Sequence, residues 1–522
     1  MAGAIDLRPG GSAVKASNYV PQLDWAIEAD VVVVGLGIAG AAAAIEAADN
    51  APGAKVLVLE KMLPDQAGGN SRASGQTFCI PQGREDFLDY QRWMNEPNPV
   101  NEEVLGPWVD EILDLEPWVR GLAAASGRDY VRLREGGAAR PDFPEVPSSR
   151  CVRSYSTISP GPSGVWNTFR EQVERRGIEI RYGSRVIELL QTPTREVVGV
   201  HVEIDGRTVL VKARRAVVMA SGGYGANLEI LRNYTGVDRV YSAGSPGSTG
   251  DGIYILQRAG ADMWHLRNFT QSGGYYPGFW PQGAPTPMIR RTRLIGSSWI
   301  EIGRDGRRFH NEKAPYGSRH MKQNVNGVWR DIPHPLVPPT YMIFDQAMLD
   351  AEPLGTSSMG WAPQVLAHHW SEGNRAEVER GWIIERPTLK ELAEAISVDP
   401  EVLEDTVGRY NASCRAGVDQ EFSRAPDALQ PIVGSRYFAI EIVPCLVNTT
   451  GGGRRNAAGQ VVGVGGQAIP RLYEAGELGS LHSNLYQGGL FLAEAAASGR
   501  MAGRNAAHQL NWDERALQAE PA

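Results

Sequence analysis

A glycine cluster near the start of the chain has the composition of a phosphate-binding turn. Gly35, Gly37 and Gly40 form a GxGxxG motif that follows the apolar run 30–34 and precedes an alanine-rich stretch. Glycines let backbone N–H groups approach a pyrophosphate, and the start of a helix attracts its negative charge. Glu60 follows Gly40 by 20 residues and ends a second apolar run, at the spacing of an acid that binds a ribose hydroxyl. Strand, turn, helix and acid predict a dinucleotide site and leave NAD and FAD both open.

A second glycine-rich loop at 68–75 favours the longer cofactor. It reads GGNSRASG and follows the second apolar run almost directly. A loop so close to the ribose-binding strand can contact further phosphate and ring atoms of a longer cofactor. We therefore predict FAD.

The loop resembles that of the FAD-binding domain of the fumarate reductase and 3-ketosteroid dehydrogenase superfamily, which carries GGxS or GGNS at this place. The stretches 216–227, 248–261 and 469–480 are also similar to motifs of that family. The resemblance implies an α/β protein with a Rossmann-like, glutathione-reductase-type FAD-binding domain and an inserted α+β capping domain. It implies that FAD contacts Gly35, Gly37, Ile38, Ala39, Gly40, Glu60, Lys61, Gly68, Gly69, Asn70, Ser71, Ser74, Gly75, Val186, Ala220, Ser221, Gly222, Asp251, Glu477, Gly489, Leu490 and Leu492.

The distribution of these motifs predicts how the chain is divided. They occupy 26–264 and return at 436–512, so we assign both segments to the FAD-binding domain and 265–435 to the capping, substrate-facing domain. Residues 1–25 and 513–522 are expected to be tails. Within the capping segment, Thr388 and Asp399 are placed to cap two helices.

Three polar groups of the fumarate reductase branch are absent from this chain. As the resemblance implies, that branch has an RFxNExxxR motif whose last arginine donates a proton, and an NRLGG motif whose arginine binds a substrate carboxylate. Tyr316 and Tyr486 stand at those two places here, and Asn448 replaces a histidine before TxGG. A dicarboxylate substrate is therefore disfavoured, because bidentate arginine is the side chain that suits it.

The replacements resemble the 3-ketosteroid dehydrogenase branch. The resemblance implies that Tyr316 removes a proton from the carbon next to a ketone, while Tyr486 and the backbone N–H of Leu490 bind the ketone oxygen. A phenol at that oxygen stabilises the developing enolate, and the flavin accepts the hydride from the β carbon. We predict a dehydrogenase that introduces a C=C bond next to the ketone of a 3-ketosteroid or a smaller cyclic ketone. Its electron acceptor, a quinone, oxygen or a carrier, stays open.

Two alternatives use the same motifs. An ene-reductase of an α,β-unsaturated acid or enone could use the same tyrosine as proton donor, with a carboxylate held by Arg290, Arg291 or Arg293. A flavoprotein that only transfers electrons would be indifferent to Tyr316→Phe. The chain also reads YQGGL where the steroid enzymes have YPGPG, so a steroid is one possible substrate among cyclic ketones.

The composition disfavours several other classes of protein. The 522 residues carry a formal net charge of −8 with dispersed basic residues, which disfavours nucleic-acid binding. The four cysteines show no paired spacing, which favours a reducing, cytoplasmic setting. We find no export signal, no apolar run near the ~20 residues that span a bilayer, and no metal-ligand spacing.

Overall fold

The computed structural model describes most of the chain. The described residues are 23–136, 139–160, 163–271, 278–284, 287–291, 294–313, 320, 322–331, 338–356 and 369–512. Tyr316, Arg293, residues 1–22 and the segment 513–522 lie outside these ranges.

Eight of the described strands form the sheet that carries the cofactor motifs. The strand Trp25–Val34 lies at its centre, parallel to both Val56–Leu59 and Arg207–Met219. A parallel strand is covered on both faces, which explains why its apolar run 31–34 is buried. The sheet confirms the predicted Rossmann-like α/β core. Its other strands are Glu179–Arg181, Ser184–Gln191, Val197–Ile204, Gln460–Val462 and Ala468–Glu474.

Two small-residue helices pack closely on one face of this sheet, Ile38–Asn50 and Leu490–Ala507. A Cβ atom on Gly503 would lie 2.2 Å from the carbonyl oxygen of Ala43, and one on Gly499 would lie 2.3 Å from that of Ala39. The backbones of the two helices are therefore in contact.

The same unit contains further helices and a smaller sheet. The helices are Gly69–Ala73, Arg84–Asn95, Glu102–Leu113, Leu115–Ala125, Gly164–Arg175, Leu228–Thr235 and Asp251–Arg258. The smaller sheet contains Phe78–Cys79, Asp129–Glu135 and Ser154–Ser159.

Seven described strands form an antiparallel sheet in the capping unit, as expected for an inserted α+β domain. They are Gly278–Phe279, Met288–Arg290, Trp299–Ile302, Thr340–Asp345, Gly355–Thr356, Ile383–Arg386 and Tyr437–Val443. The last of these pairs with Thr340–Asp345, although the sequence-based division placed residues from 436 onward in the cofactor domain. The capping helices are Gln346–Ala351, Arg375–Glu379, Leu389–Ala395 and Pro400–Ala416. Thr388 and Asp399 are confirmed as caps, because their side chains accept hydrogen bonds from the N–H groups of Glu391 and Glu401.

A hairpin of the capping segment connects the two units. Its strands are Lys322–Val325 and Val328–Asp331, and the ring of Trp329 contacts the rings of Trp93 and Phe143 in the cofactor unit. The ring centroids lie 6.2 and 5.2 Å apart, in edge-to-face geometry that favours aromatic pairs. Shorter strands near this junction are Tyr241–Ser242, Met263–Trp264, Phe269–Gln271, Cys445–Thr449 and Gly452–Gly453.

The segment that leads toward Tyr316 is anchored by a buried ion pair. Glu312 is completely buried and accepts two hydrogen bonds of 2.8 Å from the guanidinium of Arg308, which also binds Asp419. Burial by itself would raise the pKa of Glu312, but the charge and hydrogen bonds of Arg308, together with the nearby charge of Arg424, hold that pKa below its usual value. The strand Trp299–Ile302 joins this cluster, since the Glu301 N–H donates to Glu312. None of the helices in the described ranges is long and apolar enough to cross a membrane.

The close helix contact generates a prediction about stability. We expect Gly503→Ala to lower the free energy of unfolding by about 1–3 kcal/mol, because the added methyl group overlaps the backbone of Ala43. Gly408→Ala is the matched control: Gly408 is also inside a helix, with nothing near its missing Cβ, and there alanine should stabilise by about 0.5–1 kcal/mol. Chemical denaturation of both variants measures the difference, and shifts of the same sign would contradict this packing.

Candidate active site

A cavity of about 310 Å³ lies at the ends of the central parallel strands, next to the starts of the two small-residue helices. Most of the predicted cofactor-binding residues meet in its wall. They are Gly35, Gly37, Ala39, Glu60, Lys61, Gly69, Asn70, Ser71, Ser74, Gly75, Val186, Ala220, Ser221, Gly222, Asp251, Glu477, Gly489 and Leu492.

Four predicted residues lie behind this wall and support it. The N–H of Ile38 donates to Ser71 Oγ at 3.0 Å, which fixes the start of the first helix against the second glycine loop. A Cβ on Gly40 would lie 1.9 Å from the Gly35 oxygen, and one on Gly68 would lie 2.5 Å from Trp166. These glycines are required by packing. The fourth residue, Leu490, belongs to the turn described below.

Glu60 occupies the position predicted for a ribose-binding acid. Its two carboxylate oxygens accept hydrogen bonds of 2.8 Å from the N–H groups of Leu36 and Met62. Burial raises the pKa of Glu60, and these two bonds oppose that effect. Its carboxylate is thus held in a fixed orientation at the cavity, beside the glycine turn.

A buried polar network joins three segments of the wall that are far apart in sequence. Asn70 Nδ2 donates to Glu477 at 2.7 Å, and Asn70 Oδ1 accepts from the N–H of Ser245 at 2.8 Å. Glu477 also accepts from the N–H of Thr449 at 3.0 Å and from the Asn448 amide at 3.1 Å. Asn448, which replaces the family's histidine, therefore helps to hold Glu477.

Four residues of the cavity wall were not predicted from the sequence. Gly244, Ser245, Gly247 and Ser248 line the cavity, in a stretch that reads AGSPGS. The prediction relied on the TGDG motif that follows. The glycines and serines of this stretch also indicate a backbone that approaches a ligand closely. Gly244 is needed there, because its Cβ would lie 2.1 Å from Asn70 Oδ1.

An aromatic group forms one end of the cavity. The ring of Tyr486 stacks on Phe491, with centroids 4.2 Å apart, and both side chains line the cavity. The rings of His482 and His320 flank Tyr486 at 5.8 and 5.1 Å. Phe491 was not predicted, since an apolar residue at the start of a helix carries no motif of its own.

The Tyr486 hydroxyl is oriented by the turn that follows it. The N–H of Gly489 donates to Tyr486 Oη at 2.8 Å, so this bond leaves the phenol proton available. Burial raises the pKa of Tyr486 well above its ordinary value, and the Gly489 bond only partly opposes it. Tyr486 is therefore a neutral hydrogen-bond donor near neutral pH. The N–H of Leu490, predicted to bind a ketone oxygen, instead donates to the carbonyl of Gln487 at 3.1 Å.

The cationic groups in the described part of the wall are already paired. Among the described lining residues the cationic side chains are Lys61 and Arg185, and both lie 3.1 Å from Asp251. Arg290, a candidate for binding a substrate carboxylate, is buried in an ion pair with Glu301 at 2.8 Å. These three cations are therefore engaged by carboxylates of the protein itself.

The donors around the cavity fit FAD. Gly35 and Gly37 expose backbone at a helix start, and a Cβ on Gly35 would lie 2.5 Å from the Ala220 oxygen. The buried hydroxyl of Ser221 lines the cavity and has no hydrogen-bond partner among the described residues, as expected if a ligand group completes it. FAD bound here supplies hydride exchange.

Fold and site together define a dinucleotide-dependent α/β protein with a capping unit. Residues 30–489 match the family described as "FAD binding domain", and the chain belongs to this family. It is an FAD-dependent oxidoreductase.

Curated relatives with similar sequences are named as reductases or oxidoreductases. The chain is 27% identical to the NADH:acrylate oxidoreductase of Vibrio harveyi over 97% of its own length and 53% of that protein, so it spans about half of it. It is 27% identical to the digoxin reductase of Eggerthella lenta, covering 94% of this chain and 89% of the relative. The urocanate reductase of the same organism is 28% identical, with 94% and 77% covered.

Two solved structures share the fold. The 3-ketosteroid Δ1-dehydrogenase from Sterolibacterium denitrificans matches with a TM-score of 0.72 at 20% identity, over 92% of this chain and 99% of that one. The open conformation of a flavocytochrome c3 fumarate reductase matches with a TM-score of 0.63 at 24% identity, over 93% and 79%. At these identities the likeness concerns the fold alone.

The position of Glu60 generates a prediction about the cofactor. We expect Glu60→Gln to weaken FAD binding about 10-fold or more, because hydrogen bonds to a charged acceptor are worth about 1.5–3 kcal/mol. Titration of the apoprotein with FAD, followed by the quenching of flavin fluorescence, measures this. Glu174→Gln, which removes an exposed carboxylate paired with Arg170, is the control and should bind FAD as the unaltered protein does. If Glu60→Gln and Glu174→Gln bind FAD equally well, Glu60 has a structural role only.

Proposed function

We propose that this oxidoreductase desaturates the carbon–carbon bond next to the ketone of an uncharged, ring-containing substrate, a 3-ketosteroid or a smaller cyclic ketone. The observation that carries the proposal is the Tyr486 hydroxyl, which lies at the aromatic end of the cofactor cavity with its oxygen bonded to the Gly489 N–H. A phenol held in this way is suited to donate its proton to a carbonyl oxygen.

Tyr486 would stabilise the charge that develops when the ketone becomes an enolate. Preorganised donors at such an oxygen contribute more inside a site that excludes water than they do in solution. The raised pKa of Tyr486 supports this role, because the hydroxyl keeps its proton throughout the neutral range. A raised pKa equally argues against Tyr486 as the base.

The base in this proposal is Tyr316. It follows the anchored residues Arg308 and Glu312 closely in sequence, so a buried ion pair fixes the start of the segment that carries it. The ordinary pKa of tyrosine is ~10, and a tyrosine that must lose its proton to act becomes more effective as the pH rises toward that value. We therefore expect the rate of desaturation to increase between pH 7 and 9.

The substrate class is supported by what surrounds Tyr486. The stacked rings of Tyr486 and Phe491 offer a flat apolar surface, and the described lining residues contain no unpaired arginine for a carboxylate. A dianion would be desolvated here without a partner for its charge, which is costly. A flat ring system would bury apolar area instead.

A second candidate is an ene-reductase, which reduces the C=C bond of an α,β-unsaturated acid or enone. It is favoured by the names of the curated relatives, an acrylate oxidoreductase, a digoxin reductase and a urocanate reductase, because acrylate and urocanate are α,β-unsaturated acids. Tyr486 would bind the same oxygen, and Tyr316 would donate the proton rather than accept it. The direction depends on the redox partners of the protein.

The substrate class and the direction can be tested in one experiment. Under anaerobic conditions, saturated 3-ketosteroids and cyclohexanones without a charged group are mixed with the oxidised holoprotein, and the corresponding enones with the reduced one. We expect a saturated cyclic ketone to bleach the flavin absorbance. Reoxidation by enones without bleaching by ketones would establish the reductase, and a response to succinate or fumarate alone would refute the ketone site.

The role of Tyr486 predicts a specific kinetic effect. Tyr486→Phe should lower kcat/KM for the ketone by about 10²–10³-fold, the loss expected for one oxyanion donor. FAD content and thermal stability should change little, since phenylalanine keeps the stacking on Phe491. Tyr155→Phe, a change to another hydroxyl near this turn, is the matched comparison and should cost less. A fully active Tyr486→Phe enzyme would contradict the proposal.

A further inference from the structure

The turn that follows Tyr486 is held by the buried amide of Gln487, which has no part in the chemistry proposed above. The Gln487 side chain is fully buried and makes four hydrogen bonds. Its Oε1 accepts from Tyr90 Oη at 2.9 Å and from the N–H of Asp142 at 3.0 Å. Its Nε2 donates to Tyr155 Oη at 2.9 Å and to Asp142 Oδ2 at 3.1 Å. The amide thus connects the turn to a helix, a strand and a loop.

Asp142 contacts the same turn from the other side. Its Oδ2 accepts from the N–H of Gly488 at 2.6 Å, in addition to the bond from Gln487. The same oxygen lies 3.8 Å from Nε2 of His320, which belongs to the capping segment and contacts the Tyr486 ring. One carboxylate therefore holds the turn and faces the cap.

These contacts fix the direction of the Gly489 N–H. Gly488 and Gln487 are bonded through Asp142, and the Gly489 oxygen accepts from the N–H of Cys79 at 3.1 Å. With the peptide groups on both sides held, the Gly489 N–H points at Tyr486 Oη. A displacement of about 1 Å in such a donor can cost about 10²-fold in rate, so this restraint bears on catalysis.

Packing alone does not require a glutamine at this position. The NRLGG motif of the fumarate reductase branch has a leucine where this chain has Gln487, and burying an amide is favourable only if its bonds are made. Gln487, the residue next to Tyr486, makes all four hydrogen bonds that its side-chain amide can make. A satisfied buried network of this kind specifies one geometry.

We propose that Gln487 and Asp142 are positioning residues that act through Tyr486, by holding its hydroxyl in line with the oxygen of a bound carbonyl compound. The inference rests on the proposed function, because it assumes that Tyr486 donates to that oxygen. The ligand class is one with a carbonyl or enolate oxygen on a flat ring.

The test uses the FAD-loaded protein and 4-nitrophenol, whose ionised oxygen resembles an enolate oxygen and whose absorbance reports binding without turnover. Gln487→Leu should weaken binding of the phenolate about 10-fold, the value of a hydrogen bond to a charged acceptor. In the Tyr486→Phe background the same change should have less than about a twofold effect, because its partner is gone. Gln172→Leu is the matched control: Gln172 is also buried and donates to Ser126 at 2.7 Å, away from the cavity wall, and should leave binding unchanged.

The outcomes distinguish the positioning role of Gln487 from the role of Tyr486 as hydrogen-bond donor. If Tyr486→Phe weakens binding and Gln487→Leu does not, the positioning role is wrong and the role of Tyr486 stands. If Gln487→Leu has the same effect in both backgrounds, the amide acts on structure alone and the positioning role is again wrong. If Tyr486→Phe binds as tightly as the unaltered protein, the proposed function fails and this inference fails with it.

Two variants of Asp142 test the same proposal if Gln487→Leu does not fold. Asp142 is only partly buried, so Asp142→Ala is expected to fold, and it should weaken phenolate binding about 10-fold for the same reason. Asp142→Asn keeps an acceptor for the Gly488 N–H and should recover most of the loss. For a ketone that bleaches the flavin, Asp142→Ala should lower kcat while KM changes less than about twofold. An alanine variant with unaltered binding and kcat would overturn the inference.

Discussion

The contact between the helices Ile38–Asn50 and Leu490–Ala507 is the constraint on which the site depends. Carbonyl groups of the first helix lie where any side chain on Gly499 or Gly503 would stand. This contact brings the glycine turn before the first helix and the Tyr486 turn before the last one to the same cavity. Cofactor binding and substrate chemistry are therefore joined by the packing of two helices.

Polar contacts then fix what the helices bring together. Asn70 and Glu477 connect the second glycine loop to the segment before the last helix, and Gln487 and Asp142 hold the turn itself. Asn70 and Glu477 lie in the cavity wall, Gln487 and Asp142 support it, and each of the four side chains is hydrogen-bonded within the protein. A buried amide whose bonds are all made, as in Gln487, restricts the backbone to one arrangement, so reacting groups need little further ordering.

The capping unit meets the cofactor unit through contacts of different kinds. Trp329 packs against Trp93 and Phe143, and His320 lies between Asp142 and Tyr486. The aromatic contact contributes buried apolar area, which tolerates small shifts, whereas the contacts of His320 depend on direction. In the proposed function the substrate binds beside Tyr486, close to this contact with His320.

The sequence by itself determined the cofactor and the order of its motifs. GxGxxG, Glu60 and the GGNS loop follow one another closely in the chain, so their order and spacing carried the information. The sequence also disfavoured a dicarboxylate substrate, because arginines are absent from two short motifs. Tertiary structure decided which polar and aromatic groups meet. Arg290 pairs with Glu301, the Leu490 N–H bonds within its own turn, and Phe491, Gln487 and Asp142 surround Tyr486. Those relations join residues more than 300 positions apart in places, and no local pattern encodes which buried polar groups will meet when the sheet and its helices pack.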